Sequence, residues 1–123
     1  MDLRHLVAMS HAVAPNDLSH VSAPYGSTPF LLYSAADGSA RVNHVVSVVE
    51  SAPAQAIITG FGRGVAGRIA DGAAPSLLWP SPEPQGFSLI ADGTGEIDGD
   101  RLIITITGAV LHRPAPVDGS TTC

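Results

Sequence analysis

The stretch TPFLLYSAADGSARVNHVVSVVE, residues 28–50, decides the fold class of this chain. Its first part, through Ala35, is aromatic and aliphatic, and its last part, from Ala40, is rich in β-branched valine. Each part therefore predicts a β-strand. The Asp37-Gly38 pair between them is typical of a tight hairpin turn. Residues 28–50 thus predict an antiparallel hairpin, which is the start of a mainly β fold.

The second strand of this hairpin alternates in polarity, and successive side chains of a strand point to opposite faces. One face is largely apolar and carries Val42, His44, Val46 and Val48. The other face is mixed and carries Arg41, Asn43, Val45 and Ser47. We expect the valine-rich face to pack in the core and the mixed face to border a ligand. His44 is then either a hydrogen-bonded core histidine or a residue that faces the ligand.

Four more strands are predicted by short runs of aliphatic and β-branched residues that glycine, proline or aspartate bounds. They span residues 55–59, 76–79, 87–97 and 101–110. Asp98-Gly99 predicts a second hairpin turn between the last two strands. Six strands at this spacing fit a closed or partly closed antiparallel barrel.

Two short helices complete the predicted elements. Asn16 or Asp17 would cap the first helix, which would end at residue 23, before Pro24. The second helix is predicted at 64–71, where Val65 and Ile69 have the i, i+4 spacing of one helix face. Five of the thirteen residues in 60–72 are glycine, so the intrinsic helix propensity of this segment is low.

The chain is predicted to form one domain, because 123 residues hold one hydrophobic core. Residues 1–27 are expected to be an N-terminal helical segment, 28–116 the barrel domain and 117–123 a flexible tail. The single cysteine, Cys123, forms no internal disulfide. The five histidines show no metal-type spacing, so no metal site is expected.

Composition restricts the classes of partner. The net charge is −5, with six arginines and no lysine, so we expect no nucleic-acid binding through a basic face. Hydrophobic residues make up 45% of the chain and the mean hydropathy is +0.25. Every apolar run is nevertheless far shorter than the roughly 20 residues that span a bilayer. We therefore predict a cytoplasmic protein that buries apolar surface in a homodimer and does not insert into a membrane.

Three segments of the chain follow one another in an informative order. The first is the hairpin that ends in Arg41-Val42-Asn43-His44-Val45, and the second is Ile58-Thr59, a Gly/Arg turn, a short helix and SLLWP at 76–80. The third is GFSLIADGT at 86–94, followed by AVLHRP at 109–114. Together they resemble the pyridoxamine-5′-phosphate-oxidase-like family, which has the FMN-binding split-barrel fold. The last two segments resemble small actinobacterial-type members, and the resemblance spans residues 28–116.

This resemblance implies a six-stranded antiparallel split β-barrel that forms a homodimer, with two cofactor sites at the dimer interface. Members of the family use FMN or the deazaflavin F420, while others bind haem or have no known ligand. It also implies an oxidoreductase that acts on a small-molecule substrate. Carried over position by position, the cofactor-binding residues would be Arg41, Asn43, His44, Ile58, Thr59, Gly62, Arg63, Arg68 and Trp79. Among these, Gly62, Arg63 and Arg68 would hold the phosphate, and the strand residues would line the flavin ring.

The Gly/Arg turn departs from the family pattern. Many members have a Ser-Arg-Lys turn followed by asparagine, whereas this chain has Gly62-Arg63-Gly64, with Gly67 near the position of the asparagine. A turn that leads into a helix still presents free N–H groups to a phosphate, and arginine binds phosphate bidentately. Two hypotheses therefore stay open. One is a flavin or F420 enzyme, and the other is a non-flavin split-barrel protein that binds a different small ligand in the same cleft or acts as a dimeric interaction protein.

Overall fold

The computed structural model describes residues 9–115, and β-strands hold about half of them in one antiparallel sheet. The eight strands are β1 Ser10–Val13, β2 Phe30–Ser34, β3 Ala40–His44, β4 Val46–Ser51, β5 Ala54–Thr59, β6 Ser76–Trp79, β7 Ser88–Asp98 and β8 Arg101–His112. Hydrogen-bonded neighbours follow the order β3-β2-β6-β7-β8-β5-β4, and β1 pairs with the end of β8. The predicted mainly β, antiparallel fold with two short helices is confirmed.

Two helices lie beside the sheet. The first, α1, spans Leu18–Ser22 and is flanked by the 3₁₀ turns Pro15–Asp17 and Ala23–Tyr25. The second, α2, spans Arg63–Ala70, close to the predicted bounds. No helix within residues 9–115 is long and apolar enough to cross a membrane. Residues 10–13, which the sequence placed in a helical segment, form β1, while the predicted tail with Cys123 lies outside the described residues.

The sheet has eight strands where the sequence predicted six. One additional strand is β1, and the other arises because the predicted strand 40–50 is divided at Val45 into β3 and β4. The N–H group of Val45 donates to the carbonyl oxygen of Pro29 at 3.1 Å, and that of Ser47 donates to Ser27 at 2.8 Å. The sheet is not closed into a barrel, since the ladder ends at β3 on one side and at β4 on the other.

The hydrophobic core lies between one face of the sheet and the two helices. Leucines of the central strands are fully buried there, namely Leu31, Leu77, Leu89 and Leu102. Helix α2 adds Val65 and Ile69 from one face, and α1 adds Leu18. Each buried side chain of this kind contributes about 1.5–3 kcal/mol, so this shared core fixes both helices against the sheet.

The predicted faces of the strand 40–50 were wrong. Val42, Val46 and Val48 are 56%, 46% and 61% exposed, whereas Val45 and Ser47 are buried. His44 is exposed on the valine side, where its Nε2 bonds the carbonyl oxygen of Thr28 at 2.8 Å. Alternation fixes which residues share a face, but it does not say whether water, core or another chain covers that face. The apolar side of β3 and β4 faces outward.

Candidate functional site

The Gly62-Arg63-Gly64 turn begins α2 beside the β2–β3 hairpin. Gly62 is the N-cap residue, and no side chain caps its end of the helix. The first N–H groups of a helix have no partner within the helix, and they form the positive end of its dipole. Within residues 9–115, the exposed side chain of Arg63 makes no hydrogen bond or ion pair. A cation and uncapped amides therefore occupy the same turn.

Tyr33 connects this turn to the hairpin. The Asn43 side-chain amide donates to the Tyr33 hydroxyl at 3.3 Å. A Cβ atom placed on Gly64 would lie 3.8 Å from the same hydroxyl, within ordinary van der Waals contact. The structure thus places Asn43 and the first turn of α2 near the same tyrosine hydroxyl. Sequence reasoning did not identify Tyr33, although its parity with the buried Leu31 would have placed it on the inner face of β2.

Arg41 lies opposite Tyr33 in the β2–β3 ladder. Its side chain is exposed, and its guanidinium donates to the backbone oxygen of Ala40 at 3.2 Å. The hairpin that carries Arg41 is closed by Asp37, whose carboxylate accepts hydrogen bonds from the Ser39 hydroxyl and from the Ser39 N–H group. These bonds lower the pKa of Asp37 below its ordinary value, and the charge of Arg41 adds to the effect.

Arg68 holds α2 against the sheet. Its Nε donates to the carbonyl oxygen of Ser34 at 2.9 Å, at the end of β2, and its Nη1 lies 3.5 Å from the Asp71 carboxylate. The sequence placed Arg68 at the phosphate together with Arg63. In the structure Arg68 is on the last turn of the helix and Arg63 is on the first.

The other predicted residues lie in different environments. Ile58 and Trp79 belong to the hydrophobic core, and the Trp79 indole N–H donates to the carbonyl oxygen of Gly26 at 3.1 Å. Thr59 is exposed at the end of β5, just before the Gly/Arg turn. His44 is on the outer face, with its ring stacked on Phe30 at 4.7 Å between centroids. Of the nine predicted residues, Asn43 contacts Tyr33, and Gly62 and Arg63 belong to the α2 turn, whose Gly64 lies near the same hydroxyl.

This group has the chemistry of an oxyanion site. Uncapped amides, an arginine, a phenol and a carboxamide are all hydrogen-bond donors, and charge-assisted bonds to phosphate are among the strongest that proteins form. No set of three or more histidine, cysteine or acidic side chains in the described part of the chain could hold a metal ion. The donors at this turn are of the kind that bind an oxyanion.

Comparison with known proteins adds no identification. No protein-family model matches the chain, and no curated protein matches it.

Proposed function

We propose that this chain is a flavin- or deazaflavin-dependent oxidoreductase that acts on a small organic substrate. The main support is the N-terminus of α2, which no side chain caps and which carries the exposed Arg63 near the Tyr33–Asn43 pair. Helix N-termini of this kind bind phosphate groups, and FMN and F420 both carry one. The redox chemistry belongs to the cofactor, and the protein binds and orients it.

The residues near the turn receive distinct roles in this proposal. The amides of the first turn of α2 and the guanidinium of Arg63 hold the phosphate. Asn43 and Tyr33 offer hydrogen bonds to polar groups nearer the ring, and the exposed Arg41 supplies a second cation from the hairpin. Because the chain has no lysine, arginine and backbone amides are its means of holding an anion.

The split-barrel type of the fold is part of the same proposal. Its support is that the two edge strands of the ladder, β3 and β4, follow one another in the chain with Val45 alone between them. The chain therefore passes from one edge of the ladder to the other at this residue. We also propose a homodimer, because the valine face of β3 and β4 is exposed in the single chain.

Titration of the purified protein with FMN and with F420 tests the cofactor. We expect saturable binding of one of them, and Arg63→Ala should weaken it at least about tenfold, since a charge-assisted hydrogen bond contributes about 1.5–3 kcal/mol. The control is Arg113→Ala, because Arg113 follows the opposite end of β8 from the hairpin beside Thr59, and its guanidinium lies 5.1 Å from the centroid of the Phe87 ring. Binding of neither cofactor, or equal affinity of the Arg63 and Arg113 variants, would contradict the proposed site.

A second candidate function is a non-flavin protein of the same fold, which binds another small ligand or acts as a dimeric interaction protein. Two observations favour it. Ile58 and Trp79 are buried in the core, and the turn has glycine at both sides of Arg63. A dimer that binds neither FMN nor F420, but binds inorganic phosphate at the same turn, would support this candidate over the enzyme.

A further inference from the structure

A second cleft lies at the start of β7, away from α2. It has a volume of about 400 Å³ and is formed by the turn that follows α1 and by the proline-rich loop 80–87 before β7. It is lined by Pro24, Tyr25, Ser81, Pro82, Glu83 and Phe87. Helix α2 packs further along β7, where a Cβ atom on Gly95 would lie 3.1 Å from the Ile69 side chain. The cleft and α2 therefore border different parts of this strand.

Hydrogen bonds within the chain hold the walls of the cleft in place. The Tyr25 hydroxyl donates to the carbonyl oxygen of Phe87 at 2.8 Å and so joins the two walls. Within the loop, the N–H of Glu83 donates to Ser81 Oγ at 3.0 Å, and the N–H of Gly86 donates to the carbonyl oxygen of Glu83 at 3.0 Å. A cleft that is formed before binding loses less conformational entropy when a ligand enters.

Glu83 is the charged side chain of the cleft. The residue is exposed, and within residues 9–115 its carboxylate makes no hydrogen bond or ion pair. The nearby Arg113 does not neutralise it, since the Arg113 guanidinium lies over the Phe87 ring, 5.1 Å from its centroid. A basic group on a ligand therefore finds an unpaired counter-charge at Glu83. The net charge of −5 also favours a cationic partner.

The rest of the lining is mainly apolar and has few free hydrogen-bond acceptors. Its apolar part consists of two aromatic and two pyrrolidine rings, which belong to Tyr25, Phe87, Pro24 and Pro82. The carbonyl oxygens of Phe87 and Glu83 already accept hydrogen bonds. The hydroxyl of Ser81 accepts a bond from Glu83 and still has its own proton to donate. The lining therefore suits a chain segment with free carbonyl oxygens and few N–H groups.

Proline-rich segments combine these properties. Proline has no backbone N–H group, and the polyproline II helix leaves its carbonyl oxygens without internal partners. This helix is largely formed before binding, and it docks into grooves lined by aromatic side chains. A basic residue next to the prolines would supply the charge that pairs with Glu83.

We propose that this cleft binds a proline-rich segment of a partner protein, with an arginine or lysine beside the prolines. The rings of Tyr25, Phe87 and Pro82 contact the prolines of the partner. The Ser81 hydroxyl donates to a carbonyl oxygen, and Glu83 pairs with the basic side chain. This function is additional to the proposed oxidoreductase and does not depend on it, because no residue of the cleft belongs to α2 or to the β2–β3 hairpin.

The test is an NMR titration of backbone amide signals in the full chain with the peptide acetyl-PPAPPR-amide. We expect saturable shifts of the Tyr25, Glu83 and Phe87 signals. Glu83→Gln should weaken binding about twofold to fivefold, as for one exposed ion pair, and should reduce the salt dependence of the affinity. Glu96→Gln is the matched control, because this exposed glutamate of β7 is also unpaired within residues 9–115 and lies outside the cleft.

Two prolines of the same loop test the apolar contact. Pro82→Ala should weaken binding about threefold to tenfold, because it removes ring methylenes from the cleft. Pro84→Ala is the matched control, because Pro84 is exposed in the same loop but does not line the cleft. If Pro82→Ala does not fold, Glu83→Gln still tests the proposal, since the Glu83 carboxylate makes no bond in the described part of the chain.

Further probes separate this partner from other occupants. The acidic peptide acetyl-PPAPPE-amide and acetyl-arginine-amide, which has no prolines, should each bind at least about fourfold more weakly. Absence of saturable shifts, equal binding of either probe, or equal affinities within either pair of variants would overturn the proposal. Peptide binding that appears only after deletion of residues 116–123 would also overturn it, because the occupant would then be a segment of this chain.

Discussion

Gly93 lies where β7 closely approaches the backbone of its neighbour β8. The β7–β8 register shifts between Asp92 and Gly93, which is a β-bulge in an otherwise continuous ladder. A Cβ atom on Gly93 would collide with the carbonyl oxygen of Thr105 and would lie 2.6 Å from Ile104 Cγ2. A glycine inside a strand commonly reflects such a close approach of backbones, and here the backbone contact explains it.

Gly93→Ala should therefore destabilise the protein. The added methyl group has no space, and overpacking of this kind costs about 1–3 kcal/mol. Gly108→Ala is a matched control, because Gly108 lies in β8 opposite Asp92 and a Cβ atom there would meet no atom within 4 Å. Urea denaturation should show a lower free energy of unfolding for the first variant and a change within about 0.5 kcal/mol for the second. Equal stabilities would contradict the packing at the bulge.

Asp37 should titrate below its ordinary value of 3.8, because the hydroxyl and the N–H of Ser39 both stabilise its carboxylate. A folded-state pKa below the unfolded value adds stability above the unfolded pKa, and this contribution is lost as the pH falls through the folded pKa. The effect on stability is small, since the carboxylate is exposed. In an NMR titration, Ser39→Ala should move the pKa of Asp37 back toward 3.8. Ser34→Ala, at an exposed position earlier in the hairpin, should leave it unchanged.

At the scale of elements, α2 has a well-defined C-terminal end, but its interior has a low helix propensity. Gly72 has a φ of +95°, and its N–H donates to Ile69 at 3.0 Å. The N–H of Ala73 donates to Arg68 at 2.9 Å, which completes a Schellman motif. Gly67 lies within the helix, where its missing side chain lowers helix propensity.

Alanine at these two glycines should have opposite effects. Gly67→Ala should raise the free energy of unfolding by about 0.5–1 kcal/mol, because a Cβ atom there meets no atom within 4 Å. Gly72→Ala should lower it by about 1 kcal/mol, since alanine is strained at positive φ. Chemical denaturation of both variants measures this. Changes of the same sign would show that α2 does not end at Gly72 as described.

The sequence predicted most strands correctly because their signals are local. Runs of β-branched and aliphatic residues and Asp-Gly turns predicted β2, β5, β6, β7 and β8 to within a few residues. The spacing of Val65 and Ile69 predicted α2 even though glycine lowers the helix propensity of this segment. β1 was missed because its four residues, SHAV, carry little strand signal of their own. The predicted faces of β3 and β4 were wrong because burial depends on which element covers a face, and sequence alternation contains no such information.

The candidate site was predictable only in part. The Gly62-Arg63 turn and Asn43 stand out in the sequence through glycine content and parity. In the structure, the turn and Asn43 are linked through the Tyr33 hydroxyl. The sequence alone does not distinguish Tyr33 from the other hairpin residues as a member of the site. Ile58 and Trp79 were named from family resemblance, and their burial depends on the packing of the whole core.

At the scale of the whole molecule, the outer face of the sheet is more apolar than a water-covered face requires. Cross-strand pairing places one row on this face, running from His44 through Phe30, Leu78 and Ile90 to Val110. On β3 and β4 the row is continued by three exposed valines. We call these three residues, Val42, Val46 and Val48, the valine stripe. Exposed apolar surface of this kind is typical of an interaction site. It also accounts for the high mean hydropathy of a chain with so few charges.

A second copy of the chain is the partner that we expect on the valine stripe. Sedimentation velocity should give about twice the 12.6 kDa chain mass for the original protein. The double variant Val46→Glu/Val48→Glu should raise the dimer dissociation constant at least about 100-fold, because it removes two apolar contacts and brings unpaired charges into the interface. Ala70→Glu, at an exposed position on α2, which packs on the opposite face of the sheet, is the control and should stay dimeric. A monomeric original chain, or a double variant that dimerises as tightly, would exclude the stripe as the interface.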